Sequence, residues 1–367
     1  MLLRDQFILE ALKDLDLSPT MEKNARDKYQ AIAGHINDYG IETDFYPQGS
    51  FQLGTVIRPY KDGHDLDYDL DVLSISPRDK QTSNPSVIKN EVGDAIKANG
   101  VYSEKLQSED TVCWTLKYAK VSQDIGFSLD IVPCVHADQS EKFNILSAGT
   151  PYDIAMKAIA ITKKQYGQYE WQSSNPLGFG DWFLNISNKH LSYESKQTQY
   201  RNLLFELSSI YASIEDIPHY YYRSNLQRAV QMIKRHRDIY YDRAYIRNEK
   251  PSSMLIAALV ADSVKDRDFL SIAQIIEFFI DGYEHEAISI MDNGRVVNPT
   301  DSREDLIVSY SAKRKDLMQK WISSLRSLFS IEDEQQFKRA LHNDVNTRAF
   351  TEVSQGSAVS PTKPWSM

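Results

Sequence analysis

Carboxylates at period two are the first residues in this chain that could do chemistry. Asp65, Asp67, Asp69 and Asp71 alternate with His64, Leu66, Tyr68, Leu70 and Val72. On a strand, residues two apart share a face. Carboxylates on one face repel one another and are costly to bury. As residues alone they allow two readings. One is a solvated acidic edge that discourages strand pairing. The other is a ladder that holds a divalent cation, for which hard oxygen donors suit Mg²⁺ or Mn²⁺. Asp69 and Asp71 lie within the apolar run Tyr68, Leu70, Val72, Leu73, so rigid sheet is expected beneath them, whereas Asp65, beside Gly63 and His64, is expected in a loop.

A further carboxylate, Asp130, sits between Leu129 and Ile131 and needs a partner there. It could be a salt-bridged structural aspartate. Together with a D-x-D pair on a neighbouring strand, it would suit two-metal phosphoryl transfer. Gln48-Gly49-Ser50, followed by Gly54-Thr55, could be an ordinary turn or a phosphate contact, since glycine allows close backbone approach and a serine hydroxyl can hold a phosphate. Lys234, Arg235 and Arg237 form a basic cluster at 234–237 that reads first as a solvated helix face. Lys234, however, adjoins the apolar stripe of Val230 and Ile233 and could reach a lobe interface as a point charge for a triphosphate. Ser253 opens the next helical stretch and could add a hydroxyl or an N–H.

Positioning these groups requires a scaffold with two kinds of patterning. Residues 3–15 and 20–38 have helical periodicity, with a cap expected near Thr20 and a stop at Gly40. Residues 67–76, 111–119 and 126–135 read as strands, 85–98 as a helix, and 154–162 as either. Beyond Asn175-Pro176 the pattern turns helical, over 224–241, 253–263, 268–281 and 304–329. This predicts a mixed α/β lobe beside a helical lobe, with ligands favoured at the junction. The expected division is 1–174, 175–345 and a flexible tail over 346–367, whose last stretch from 351 is polar and rich in Ser, Thr, Pro and Gly.

Composition narrows the function. The chain has 367 residues, 41% hydrophobic and 25% charged, with a net charge of −9. That acidity disfavours long nucleic acid, though not nucleotides whose phosphates are neutralised locally by a metal. Cys113 and Cys134 lie in apolar runs and read as buried free thiols. The N-terminal segment is not a signal peptide, and no run approaches the roughly 20 apolar residues of a membrane span. The expectation is a cytoplasmic protein without membrane contact.

Taken in order, QGSFQLGTVIRP (48–59), DYDLDVL (67–73), FSLDIVP (127–133), Trp171 with SSNPLGFGDWF (173–183), LQRAVQMIKRHRDIYY (226–241) and KPSSMLIAAL (250–259) resemble the bacterial cGAS/DncV-like nucleotidyltransferases (CD-NTase, SMODS-type) of CBASS anti-phage systems. The resemblance spans roughly residues 25–330. It implies an α+β fold: a polymerase-β-like nucleotidyltransferase core with a helical, oligoadenylate-synthetase-like C-terminal lobe. It implies an enzyme that joins nucleoside triphosphates, ATP or GTP among them, into a cyclic di- or trinucleotide that activates a CBASS effector. Two Mg²⁺ ions, or Mn²⁺, would be the cofactors. By position, Asp69 and Asp71 would ligate both metals and Asp130 would complete the catalytic one. Asp69/Asp71 is preferred to Asp67/Asp69 because the family pattern is Tyr-Asp-x-Asp followed by aliphatics. Gln48, Gly49 and Ser50 would contact the donor phosphates, and Lys234 and Ser253 would grip the triphosphate. The alternative within the same chemistry is a linear product or AMP transfer to another acceptor. A C-terminal conjugation partner, engaging residues 363–367, is a further implication, set against a plain mobile tail.

Overall fold

The computed structural model describes residues 2–13, 15–122, 125–192, 214 and 223–345. The tail expected over 346–367, including the segment 363–367, lies outside the described residues.

One six-stranded sheet carries the first lobe. Its strands are β1 (Asp44–Gln48), β4 (Tyr68–Ser76), β5 (Trp114–Ser122), β6 (Ile125–His136), β7 (Ile159–Gln165) and β8 (Gln168–Ser174), in the order β1-β4-β6-β7-β8, with β5 also against β6. The pair β4/β6 is parallel and the others antiparallel. A parallel pair needs a crossover, and α4 (Pro85–Ala98) lies on that connection. Period-two alternation then separates the two faces. Tyr68, Leu70 and Val72 join Phe127, Leu129 and Ile131 in a core closed by α2 (Pro19–Asp38) and α4. The polar residues between them, Asp69, Asp71, Ser128 and Asp130, fall on the other face. A small hairpin, β2 (Tyr60–Lys61) and β3 (His64–Asp65), precedes β4.

The second lobe packs α8 (Pro176–Ser187), α9 (Asn225–Arg243), α10 (Ser253–Val264), α11 (Ile272–Glu284), α12 (Ala312–Phe329) and α13 (Glu334–Val345) into one core. The first helix, α1 (Leu2–Lys13), is part of that core through Phe7, Ile8, Ala11 and Leu12. Asp5 accepts the Ala273 N–H at 2.9 Å, which ties α1 to the start of α11. The chain therefore begins in the helical lobe and only then enters the sheet.

Several boundaries differ from the sequence expectation for local reasons. The cap of α2 is Ser18 rather than Thr20: its side chain accepts the Met21 N–H, and Pro19 opens the helix. The ambiguous 154–162 divides into a short helix, α7 (Tyr152–Ala155), and the start of β7 at Ile159. The helix expected from 304 starts at Ala312, capped by Ser311. Before it, β9 (Met291–Asp292), β10 (Arg295–Asn298) and β11 (Asp301–Asp305) form a three-stranded sheet within the helical lobe. The Asp305 carboxylate holds that turn by accepting the N–H groups of Val296 and Ile307, each at 3.0 Å.

The two lobes meet along α9 and the segment 53–58, whose carbonyls are taken up by side chains. Gln227 donates to Leu53 O, Lys234 to Thr55 O, Gln231 to Val56 O and Arg235 to Arg58 O, while Arg223 just before the helix donates to Gly54 O. Buried backbone groups must be paired, and here the partner is a helix face rather than a strand. That explains why α9 is polar in sequence yet almost wholly buried.

Candidate active site

Strand register sets the site. Gln48 on β1 lies opposite Asp71 on β4, Asp71 beside Asp130 on β6, and Asp130 opposite Thr115 on β5. One line of side chains thus crosses four strands. The next line runs from Asp69 to Ser128 to Lys117. Ser128 donates its hydroxyl to Asp69, and Thr115 donates to Asp130 Oδ1 at 2.6 Å. Burial, with Asp130 and Asp69 nearby, pushes the Asp71 carboxyl up to about 7 even though Lys234 opposes it. Asp130 is also raised, mainly by burial, with Thr115 pulling the other way.

Gly49 makes this crowding sterically feasible. It has φ +62, and a Cβ on it would stand 2.7 Å from Asp71 Oδ2. Only glycine lets the turn from β1 into α3 (Gly49–Leu53) pass so close to that carboxylate.

A cavity of about 630 Å³ opens beside these residues, between the lobes. Gln48, Gly49, Ser50, Asp69, Asp71, Lys234 and Ser253 all line it. Asp130 does not; it sits one strand further, in register with Asp71. The basic cluster at 234–237 is not a solvated face, because Lys234, Arg235 and Arg237 are 5%, 2% and 4% exposed. Lys234 donates to Thr55 O at 2.8 Å, and burial, with Arg237 adding to it, lowers its ammonium to about 7. Arg235 serves the lobe contact, pairing with Asp65 at 2.9 Å and stacking over Tyr60. Asp65 is therefore not the loop residue expected: it lies on β3 between Arg235 and Arg58. Asp67 accepts the Gly126 N–H at 2.8 Å. Of the four-carboxylate ladder, only Asp69 and Asp71 reach the cavity.

The cavity wall contributed by the helical lobe holds Arg237, read from the sequence only as part of a basic helix face, and Asp238 and Lys250, to which the sequence assigned no role. Arg237 donates to Asp238 at 2.7 Å, to Pro251 O and to Ser253 Oγ; Lys250 reaches Asp238 at 3.0 Å. Burial works against the Asp238 charge, but Arg237 and Lys250 outweigh it and hold the carboxyl below its usual range. Lys234 and Arg237 are three apart on one helix, so their shared face was legible. The approach of Lys250 to Asp238 depends on tertiary structure. Asn298 and Glu304, on the β10/β11 hairpin, also line the cavity and carried no signal in the sequence.

Among the described residues, no three His, Cys, Asp or Glu side chains are arranged as a metal site. Two of the three candidate carboxylates instead accept hydroxyls from Ser128 and Thr115. The donor chemistry nonetheless fits a hard divalent cation: Asp69, Asp71 and Asp130 share a face, and burial together with their mutual repulsion disfavours full ionisation of Asp71.

Residues 1–152 match the family model described as a Second Messenger Oligonucleotide or Dinucleotide Synthetase domain. The chain is similar to the cGAS/DncV-like nucleotidyltransferases. A c-di-GMP synthase of Roseivirga ehrenbergii is 26% identical over 324 residues, covering 85% of this chain and 74% of the relative. Among solved structures, the CD-NTase CdnG of Bradyrhizobium diazoefficiens, in complex with GTP, superposes with a TM-score of 0.64 at 20% identity, over 95% of this chain and 99% of that one. Escherichia coli DncV, in a 3'-deoxy GTP bound form, gives 0.59 at 14% identity, over 92% and 93%. These likenesses establish the α+β nucleotidyltransferase fold. Cys113 and Cys134 are free and buried, and among the described residues no helix is long and apolar enough to cross a membrane.

Proposed function

We propose that this enzyme makes a cyclic dinucleotide from nucleoside triphosphates, with Asp69, Asp71 and Asp130 as its acidic centre. The supporting observation is the line Gln48, Asp71, Asp130, Thr115 across the sheet, of which Gln48 and Asp71, with Asp69, line one cavity together with Lys234, Arg237 and Lys250. An acidic pair from the sheet and cations from the helical lobe, two of them held by Asp238, suit a polyanion that reacts at one end. The division expected from the sequence, 1–174 and 175–345, would place the reacting groups on the first unit and the triphosphate grip on the second. Divalent cations bound by Asp69 and Asp71, with Asp130 completing one of them, would neutralise the reacting phosphate and favour deprotonation of the attacking hydroxyl.

The chain's own groups would do the rest. Lys234 is buried and lowered to about 7, and a bound phosphate would favour its charged form. Arg237 orients the Ser253 hydroxyl, so the two would contact the triphosphate together. Ser50 and the Gly49 backbone lie beside Asp71 and would hold the donor phosphates next to the acidic centre. Because the Roseivirga relative is a c-di-GMP synthase, guanine nucleotides are the first substrates to test. The family resemblance extends the reading to an effector in anti-phage defence that responds to the product.

The test is pyrophosphate release from nucleoside triphosphates with Mg²⁺, comparing the wild type with Asp69→Ala/Asp71→Ala. The double variant is expected to keep its circular dichroism spectrum and lose turnover by at least about a thousandfold, since removing charge stabilisation at the reacting centre has effects of that order. Turnover retained within tenfold would refute the acidic-centre assignment.

A further inference from the structure

The acidic centre and the cation wall leave one polar element of the cavity without a role. Asn298, at the end of β10, is 3% exposed. Its Oδ1 accepts both the N–H and the hydroxyl of Thr300 at 2.9 Å, which fixes the amide so that Nδ2 faces Glu304 and donates to its Oε2 at 2.6 Å. Glu304 lines the same cavity as Asp69, Asp71 and Lys234. It has no cation partner among the described residues, because its neighbour Arg303 is committed to Asp301 and to Glu141. Glu141 and Ala148, which accepts from Ser302 at 2.6 Å, belong to the stretch around α6 (Gln139–Ser147) in the other lobe. β11 is thus pinned to both lobes, and the Glu304 carboxylate is held at the cavity wall with hydrogen-bonding capacity to spare.

A carboxylate with no cation partner facing a cavity for triphosphates would repel phosphate, and the cations of the cavity, Lys234, Arg237 and Lys250, form no ion pair with it. What suits it is a ligand edge with adjacent N–H donors. Guanine has such an edge, with N1–H and the 2-amino group side by side. A carboxylate can accept both, even with Asn298 already on one oxygen, because each oxygen carries two acceptor positions. Adenine presents a lone pair at N1, which the carboxylate repels. We infer that Glu304, oriented by Asn298, is the guanine-reading residue of this cavity. The inference deepens the reading given above and rests on it for the position of the triphosphate.

The test is equilibrium binding to the full chain of the α,β-methylene triphosphates of guanosine, inosine and adenosine, which do not turn over. Inosine differs from guanosine only in lacking the 2-amino group. Losing a hydrogen bond to a charged acceptor corresponds to a factor of about ten or more, so the guanosine analogue is expected to bind at least about tenfold tighter than the inosine analogue. Glu304→Gln, at an exposed position, should bring that ratio close to one and improve adenosine binding, because an amide can pair with adenine N1 and its 6-amino group. Equal wild-type binding of guanosine and inosine, binding of neither, or an unchanged ratio in Glu304→Gln would overturn the inference. Product analysis on the same preparation separates the two readings. The expected binding ratios without any cyclic product would defeat the synthase reading alone, and cyclic product with equal guanosine and inosine binding would defeat the base-reading role alone.

Discussion

At the residue scale, Asp71 is the pivot of the site. It lies between Gln48 and Asp130 in strand register, against the backbone of Gly49 and within the field of Lys234. Its carboxyl, raised to about 7, makes a signed contribution to stability. The unfolded chain gives up this proton near pH 4, while the folded chain keeps it until about pH 7, so stability falls as pH rises through that window. Without metal at pH 8, Asp71→Asn is therefore expected to be more stable than the wild type, by on the order of 4 kcal/mol. Saturating Mg²⁺ should reverse the order by stabilising the wild type preferentially. Urea denaturation with and without Mg²⁺ reads both, and an equal Mg²⁺ response in the two proteins would count against a metal at Asp71. Gly49→Ala adds a methyl group 2.7 Å from Asp71 Oδ2 at a left-handed φ. It should cost about 1–2 kcal/mol of stability in the same assay. It should also lower turnover by tenfold or more by displacing the carboxylate, since a misplacement of about 1 Å can cost about a hundredfold.

At the element scale, α9 does two jobs. Gln227, Gln231, Lys234 and Arg235 satisfy the carbonyls of the segment 53–58, and Lys234 and Arg237 face the cavity from the same helix. A buried histidine on α9 gives an independent check on its packing. His236 Nδ1 accepts the Trp321 indole N–H of α12 at 3.0 Å, and burial, with Arg243 nearby, lowers its pKa to about 4. The unfolded chain binds this proton near pH 6.5 and the folded chain does not until about pH 4, so stability is full above 6.5 and falls as pH drops between the two. Against His236→Gln, the wild type is expected to lose about 3 kcal/mol more between pH 7 and pH 4, measured by urea denaturation at each pH. Parallel losses would show that His236 is not held neutral by the fold. α9 also shows what patterning can and cannot tell. Its apolar stripe and extent were legible from period 3.6, as was α4, and the strands bearing Asp69, Asp71 and Asp130 were legible from period two. The burial of Arg235 and Arg237 was not, because a basic run on a helix looks the same whether it meets solvent or another lobe's unpaired carbonyls.

At the scale of the whole molecule, the site lies where a sheet face meets a helical lobe, and both halves are needed to enclose the cavity. The acidic half was readable in part because strand alternation is local: D-x-D puts both carboxylates on one face, and the register Asp71 beside Asp130 brings the third onto it. The opposite wall was readable only in part. Lys234 and Ser253 could be singled out, but Lys250 converging on Asp238, and Asn298 orienting Glu304, depend on a loop and on a small sheet that interrupts an otherwise helical stretch. The entry of α1 into the distant core is likewise a tertiary outcome, since an amphipathic helix does not specify its partner. The most direct test of the account is the chemical form of the product. Purified protein is incubated with all four ribonucleoside triphosphates and Mg²⁺, treated with phosphatase, and the surviving material is analysed by mass spectrometry. A phosphatase-resistant cyclic dinucleotide containing guanine is the predicted result; linear oligonucleotides alone, with terminal phosphates removed and no cyclic species, would contradict it.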